Sequence, residues 1–151
     1  MKYQAQLEEI KSLIRSSQRS EDAQARVVMS LKKNFVQFNW VGIFQYNGKE
    51  LVLGPYNGKL PVGFEKIPVG RGICGTVAVT MRTEVVPDVR ADARYLTCFD
   101  ETRSELVVPI IKGENLWGEI TVDASVPHAF TRDEIELVEK AAQLLSEVVQ
   151  S

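Results

Sequence analysis

Cys74 and Cys98 are the only cysteines of the chain, and both fall in the stretch GRGICGTVAVTMRTEVVPDVRADARYLTCFDETRSELVVPI. If two thiols meet in space, one sulfur can attack an oxidised substrate and the other can resolve it as a disulfide. They fit a plainer role equally, because a free cysteine is commonly a small buried apolar residue. Cys74 follows Gly70 and Gly72 and falls near the first turn of a short helix expected over TVAVTMR, where helix-terminal amides favour a thiolate. A G-x-G before a helix can also cradle an anion on backbone amides, which makes Gly72 and Ile73 candidate ligand contacts; the alternative is a tight turn needing positive φ. GRGICG matches G-x-G-x-x-G, but no strand runs directly into it within a βαβ unit, so it is not a dinucleotide fingerprint. Cys98 sits in RYLTCFDE, where Tyr95, Leu96 and Phe99 read as pocket lining and the cationic neighbours are Arg94 and Arg103.

Three further residues have chemistry-bearing types. Glu105 opens a strand in SELVVPII, and Asp123 lies in the otherwise apolar run of GEITVDAS. An acid in such a run must be solvated or paired, so each either meets a ligand's polar group or closes an edge salt bridge. Trp40, in NWVGIF, offers an indole wall to a ligand or simply fills the core. His128, in ASVPHAF, is flanked by proline and turn residues and reads as a surface loop.

The elements that must position these residues follow from periodicity. Leu7, Ile10, Leu13 and Ile14 lie at helical spacing, and a second helix opens at Ser20 with Glu21 and Asp22 in its first turn, so residues 1–36 read as N-terminal helices. Asn47-Gly48 between two strand-like runs marks a hairpin. SELVVPII and LWGEITVDAS are strands joined by KGEN. A capping box, Thr131 with Glu134, opens a C-terminal helix within 130–150. Its stripe, Ile135, Val138, Ala142 and Leu145 widened by Leu137, Leu144 and Val148, exceeds what one sheet face requires, so a homodimer through terminal helices is expected. Hairpins at both ends imply a mostly antiparallel α+β fold with helices flanking the sheet, and 1–151 reads as a single domain.

Bulk composition narrows the function classes. At 151 residues, 44% hydrophobic and 25% charged, the chain is an ordinary globular sequence. A net charge of −2 argues against a general nucleic-acid binder. No apolar run approaches the roughly 20 residues of a membrane span, and the start lacks a signal peptide's apolar core, so no membrane association and a cytoplasmic location are expected. Two cysteines without clustered histidines are too few for a closed zinc site, so neither metal nor cofactor is expected.

NWVGIF, ELVLGPYNGK, IPVGRGICGTV, VVPDV, SELVVPI and GEITVDAS, in this order, resemble the GAF domain. They are most similar to its stand-alone members that act as free methionine-(R)-sulfoxide reductases, from about Val27 to the C-terminal helix. The resemblance implies a six-stranded antiparallel sheet with a small-molecule pocket roofed by long loops. It implies Cys98 as the attacking thiol, Cys74 as a resolving thiol, Trp40 as the wall for the substrate methyl, Glu105 and Asp123 as acidic ligands, and thioredoxin as the reductant. The chain departs from that pattern at Phe64, where the family's first cysteine falls, and at Thr121, where the first acid of D-x-D falls. It departs again before Cys98, where Arg94-Tyr95 stands in place of a Gly-His pair.

Those departures set two readings side by side. The first is a cytoplasmic GAF domain with a sensor or signalling role, binding a small polar metabolite or anion between the sheet and the Phe64–Arg103 loops, with Tyr95 and the amides near Cys74 as contacts. The alternative is the reductase itself, using Cys98 and Cys74. Nothing supports a cyclic nucleotide or a bilin, and the histidine that would neighbour a bilin attachment cysteine is absent.

Overall fold

A computed structural model describes residues 1–150. Two helices, α1 (Gln4–Arg15) and α2 (Ser20–Asn34), precede the hairpin of β1 (Phe38–Tyr46) and β2 (Glu50–Asn57). The chain continues through β3 (Lys66–Pro68), α3 (Gly72–Thr80) and β4 (Glu84–Val86), then a single 3-10 turn at Val89–Ala91. It closes with the hairpin of β5 (Ser104–Lys112) and β6 (Asn115–Ala124), and α4 (Arg132–Ser146). The strands form one sheet in the order β3-β2-β1-β6-β5-β4, every neighbour antiparallel. This is the α+β architecture expected. The three-residue strand β3 escapes a residue-by-residue reading because Lys66–Pro68 is too short to show alternation and ends in proline.

Local chemistry accounts for the boundaries. Acidic Glu21 and Asp22 begin α2 and basic Lys32 and Lys33 end it, complementing both poles of the helix dipole. Asn47 Oδ1 accepts the amides of Lys49 at 3.0 Å and Glu50 at 2.9 Å, which closes the β1–β2 turn. The Thr131 capping box is present: the Thr131 amide and hydroxyl both donate to Glu134 Oε1, the amide at 2.8 Å.

The sheet separates two apolar layers. One face packs Val41, Ile43, Leu106, Val108, Ile110, Ile120 and Val122 against α1, α2 and α4. The opposite face packs Trp40, Phe44, Val107 and Val86 against α3 and the loop that follows β4. Most of the wide stripe of α4 packs within the chain, while Val148 stays exposed. Leu137, Val138, Ala142 and Leu145 are buried in the first layer and Ile135 and Leu144 pack at its edge, while α1 lies alongside with the Tyr3 hydroxyl donating to Glu134 Oε2 at 2.5 Å. His128 is exposed in a loop, as expected.

Trp40 lies flat because Gly42, two residues on along the same face, has no side chain. A Cβ at Gly42 would stand 2.2 Å from the indole ring. Gly42→Ala is therefore expected to displace the indole and to lower stability by about 1–3 kcal/mol. Urea unfolding followed by tryptophan fluorescence checks this, and an unchanged midpoint would contradict it.

Candidate functional site

The second face of the sheet is built as three cross-strand rows, because strand side chains alternate sides. Trp40, Asp123 and Glu105 form one row across β1, β6 and β5. Gly42, Thr121 and Val107 form the next, and Phe44, Glu119 and Pro109 the third. Helix α3 lies over these rows and the loop from Pro87 to Arg103 covers the first. Cys74, in the first turn of α3, reaches the middle row, with its Sγ 3.3 Å from Thr121 Oγ1. Cys98 hangs from the loop and is half-buried.

Both thiols open on one small cavity, together with Phe64, Ile67, Arg71, Gly72, Ile73, Leu96 and Glu105. Its volume is about 30 Å³, room for a single water molecule. The loop closes it. Leu96 packs so tightly on Gly72, whose φ is +69°, that a Cβ there would meet Leu96 Cδ1 at 2.8 Å. Larger grooves lie elsewhere, of about 440 Å³ between α4 and β5 and about 600 Å³ between α2 and β2, but neither gathers a thiol or a buried acid.

Of the candidate residues, the structure brings Gly72, Ile73, Cys74, Cys98 and Glu105 to the cavity wall. Trp40, Tyr95 and Asp123 lie behind it. Trp40 is 2% exposed, donates from Nε1 to the Lys59 carbonyl at 2.9 Å, and lies 5.8 Å from the Phe99 ring centre to centre, so Phe99 occupies the face expected to wall a ligand. The Tyr95 hydroxyl is buried without a hydrogen-bond partner. Asp123 accepts from Thr102 Oγ1 at 3.0 Å, which in turn accepts from Asn39 Nδ2 at 3.0 Å, while Asp123 Oδ1 is left without a donor. Among the described residues neither Glu105 nor Asp123 forms a salt bridge, and both are buried.

Like-charged side chains facing each other across strands are unfavourable, and water removal makes them more so. Burial and the Asp123 carboxylate raise Glu105 well above the usual range. Asp123 is raised by burial while hydrogen bonds from Glu105 and Thr102 oppose the rise. Glu105 therefore carries the proton and donates it to Asp123, which gives the pair one negative charge rather than two. The thiols respond to the same field. Burial, then Asp123 and Glu105, pushes Cys98 up to about 12, and burial, Glu119 and Glu105 push Cys74 well up against the opposing Thr121 contact. Of the two readings of Cys74 the buried one fits: three acids and the loss of water outweigh one turn of amides that would favour a thiolate.

Sequence reasoning missed Glu119, Thr102 and Asn39. Glu119 was accessible to it, since two-residue alternation along β6 puts Glu119, Thr121 and Asp123 on one face. Thr102 and Asn39 carry no such pattern. Glu119 is 0% exposed, and neither oxygen has a hydrogen-bond partner among the described residues.

Two pH dependences follow. A thiol titrating near 12 gives Cys98 a slow alkylation rate that climbs about tenfold per pH unit from pH 7 to 10; iodoacetamide labelling read by mass spectrometry checks this, and a plateau below pH 9 would contradict it. The raised acids Glu105, Glu119 and Asp123 keep protons in the folded chain that the unfolded chain releases above its ordinary carboxyl range. The unfolded state then binds fewer protons, so these groups make stability fall as pH rises between about 5 and 8. Lowered acids such as Glu9, Asp88 and Glu134 act in the opposite sense at more acidic pH. Urea midpoints against pH are expected to fall over that window in wild type and less steeply in Glu105→Gln; parallel curves would contradict the assignment.

A family model described as the GAF domain matches residues 20–149. The free methionine-R-sulfoxide reductase of Saccharomyces cerevisiae is 36% identical over 129 residues, which span 83% of this chain and 71% of that protein. The solved structure of the Staphylococcus aureus enzyme of the same name, in its reduced form, superposes with a TM-score of 0.89 at 30% identity, covering 96% of this chain and 93% of that one. A candidate GAF sensor protein from Burkholderia vietnamiensis superposes with a TM-score of 0.90 at 31% identity, covering 97% of this chain and 92% of that one. The chain belongs to the GAF domain family.

Proposed function

We propose that this protein reduces a small methyl sulfoxide, free methionine-(R)-sulfoxide, with Cys98 as nucleophile and Cys74 as resolving thiol. The observation that carries the reading is that both sulfurs open on one cavity beside Glu105, an acid whose surroundings keep it protonated. Likeness to reductases of that name in two organisms supports it over a binding-only role.

The chemistry balances on these residues. The Cys98 sulfur attacks the sulfoxide sulfur and gives up two electrons. The sulfur–oxygen bond of the substrate breaks, oxygen ends on Cys98 as a sulfenic acid, and the methyl thioether leaves. Glu105 donates its proton to the oxygen as negative charge develops there, and the Cys98 proton restores the Glu105–Asp123 pair. Cys74 then displaces that oxygen as water, forming the disulfide, and an external dithiol of the thioredoxin class returns both thiols. The substrate's ammonium group complements the single negative charge of the acid pair. It also offsets part of the field that raises Cys98, so thiolate forms when substrate is present rather than before.

Entry requires the 87–103 loop to move, since a one-water cavity does not admit an amino acid. Buried contacts hold the loop, Phe99 against Trp40 and Thr102 bonded to Asp123, while its ion pairs are exposed: Arg94 with Glu84 at 3.1 Å, and Lys59 with Glu101 at 3.3 Å. Such pairs contribute on the order of 0–1 kcal/mol each. A second reading, a sensor domain that binds without turnover, is favoured by the protonated resting thiols and by the aromatic Phe64 and Tyr95 near the site.

NADPH consumption coupled through thioredoxin and its reductase separates the two. Wild type is expected to turn over free methionine-(R)-sulfoxide. Cys98→Ser is expected to lose at least a thousandfold, and Cys74→Ser to release about one thioether per chain and stall. Binding of the sulfoxide without any turnover in wild type would reject the reductase in favour of the sensor.

A further inference from the structure

Four arginines lie on the segments around the thiol cavity: Arg71 just before α3, and Arg90, Arg94 and Arg103 on the 87–103 loop. The structure sorts them. Arg90 is held by Asp88 at 3.0 Å. Arg94 forks onto Asp92 at 3.1 and 2.8 Å and onto Glu84 at 3.1 and 3.3 Å. Arg103 donates to the carbonyls of Asp100 at 2.6 Å and Thr102 at 2.9 Å. Arg71 alone of the four lines the cavity, and it takes part in no ion pair among the described residues.

Arg71 is also the residue that opens α3, and a guanidinium has no acceptor with which to cap a helix. The first turn of α3 accordingly has no side-chain cap, and its residues Gly72, Ile73 and Cys74 line the cavity beside Arg71. Leu96 packs on Gly72, so the loop movement that admits a ligand uncovers this end of the helix. The opposite side of the cavity is acidic. Glu105 is 7% exposed on its wall, and behind it Asp123, 2% exposed, keeps Oδ1 without a donor. The cavity thus sets an unpaired cation and an unfilled acceptor on either side of two sulfurs.

A ligand must answer both, because a charge enclosed without its partner is costly. A simple dialkyl sulfoxide answers neither. A methionine sulfoxide within a peptide has lost both charges of its α-carbon to amide bonds. A free amino acid carries the two on one carbon, ammonium toward the acid pair and carboxylate toward the planar fork of the guanidinium, which matches a carboxylate bidentately. We propose that Arg71, with the first-turn amides of α3, binds the substrate's α-carboxylate and is the specificity-determining residue that restricts this site to free amino acids.

The assignment rests on the reductase reading for its substrate, so the test reads binding and turnover separately. Titration calorimetry at about pH 6, where both ligands carry an ammonium charge, compares L-methionine with L-methioninamide, which lacks the carboxylate. Wild type is expected to bind the acid about tenfold or more tighter than the amide, as a charge-assisted fork requires. Arg71→Gln is expected to lose that preference while binding the amide as wild type does, and Arg71→Lys to keep part of it. Both variants are expected to keep the wild-type urea midpoint, because the Arg71 side chain neither caps α3 nor pairs with an acid. In the coupled assay, Arg71→Gln is expected to raise KM for free methionine-(R)-sulfoxide about tenfold and to leave kcat within about twofold, since the carboxylate is remote from the reacting sulfur. A wild type that binds the acid no tighter than the amide would overturn the proposal, as would an undiminished preference in Arg71→Gln. Acid-selective binding that depends on Arg71, in a wild type that never turns over the sulfoxide, would uphold the carboxylate site and sink the reductase reading alone.

Discussion

Taking Glu105, Glu119 and Asp123 out of water on one sheet face is costly unless each is neutral or paired, and much of the site is the means by which that cost is met. Glu105 and Asp123 meet it together, one proton between them and a Thr102–Asn39 chain behind. Glu119 meets it by staying neutral in the resting protein, beside a thiol that shares its surroundings. The same field holds both thiols protonated at rest. A protein arranged in this way is chemically quiet until a ligand brings positive charge or an oxidised sulfur into the first row.

Quiescence and closure are linked. Leu96 on Gly72 and Phe99 over Trp40 are apolar contacts that exclude water from the acids, and exclusion of water is what raises every ionisable group beneath them. Opening the 87–103 loop admits a ligand and water together and so lowers those barriers. The sheet itself does not move in this account: its other face is filled by three helices, and the β1–β6–β5 strands at its centre carry all three rows. In the proposed reaction, a rigid floor of acids under a loop that must open would let chemistry begin only after entry.

Hairpins, the α2 boundary, the Thr131 cap and the α+β class were legible because each depends on residues adjacent in sequence. The strand β3 was not, since its three residues pair with β2 only after tertiary folding. At the site, the resemblance placed Cys74, Cys98 and Glu105, the glycine-rich turn pointed to Gly72 and Ile73, and the structure gathers all five on one cavity. The charge state of Cys74 stayed open in the sequence because the acids that oppose one helix turn of amides come from β5 and β6, far along the chain. Trp40 read either as a ligand wall or as core filling, and it lies buried with Phe99, a loop residue with no periodicity to fix its direction, against it. Glu119 needed only the alternation of β6 to be found, and was hidden by attention to the position where an acid was missing. Much of the α4 stripe that suggested a second copy packs on β5 and α1 of the same chain, and Val148 at its end stays exposed.

Whether these acids are protonated inside the folded protein can be read directly. Infrared spectra of the folded chain near neutral pH, in deuterated buffer, distinguish the carbonyl stretch of a neutral carboxyl from that of a carboxylate. The account predicts neutral-carboxyl bands that persist at neutral pH, one lost in Glu105→Gln and another in Glu119→Gln, both absent after unfolding. A folded spectrum with carboxylate bands alone would contradict it.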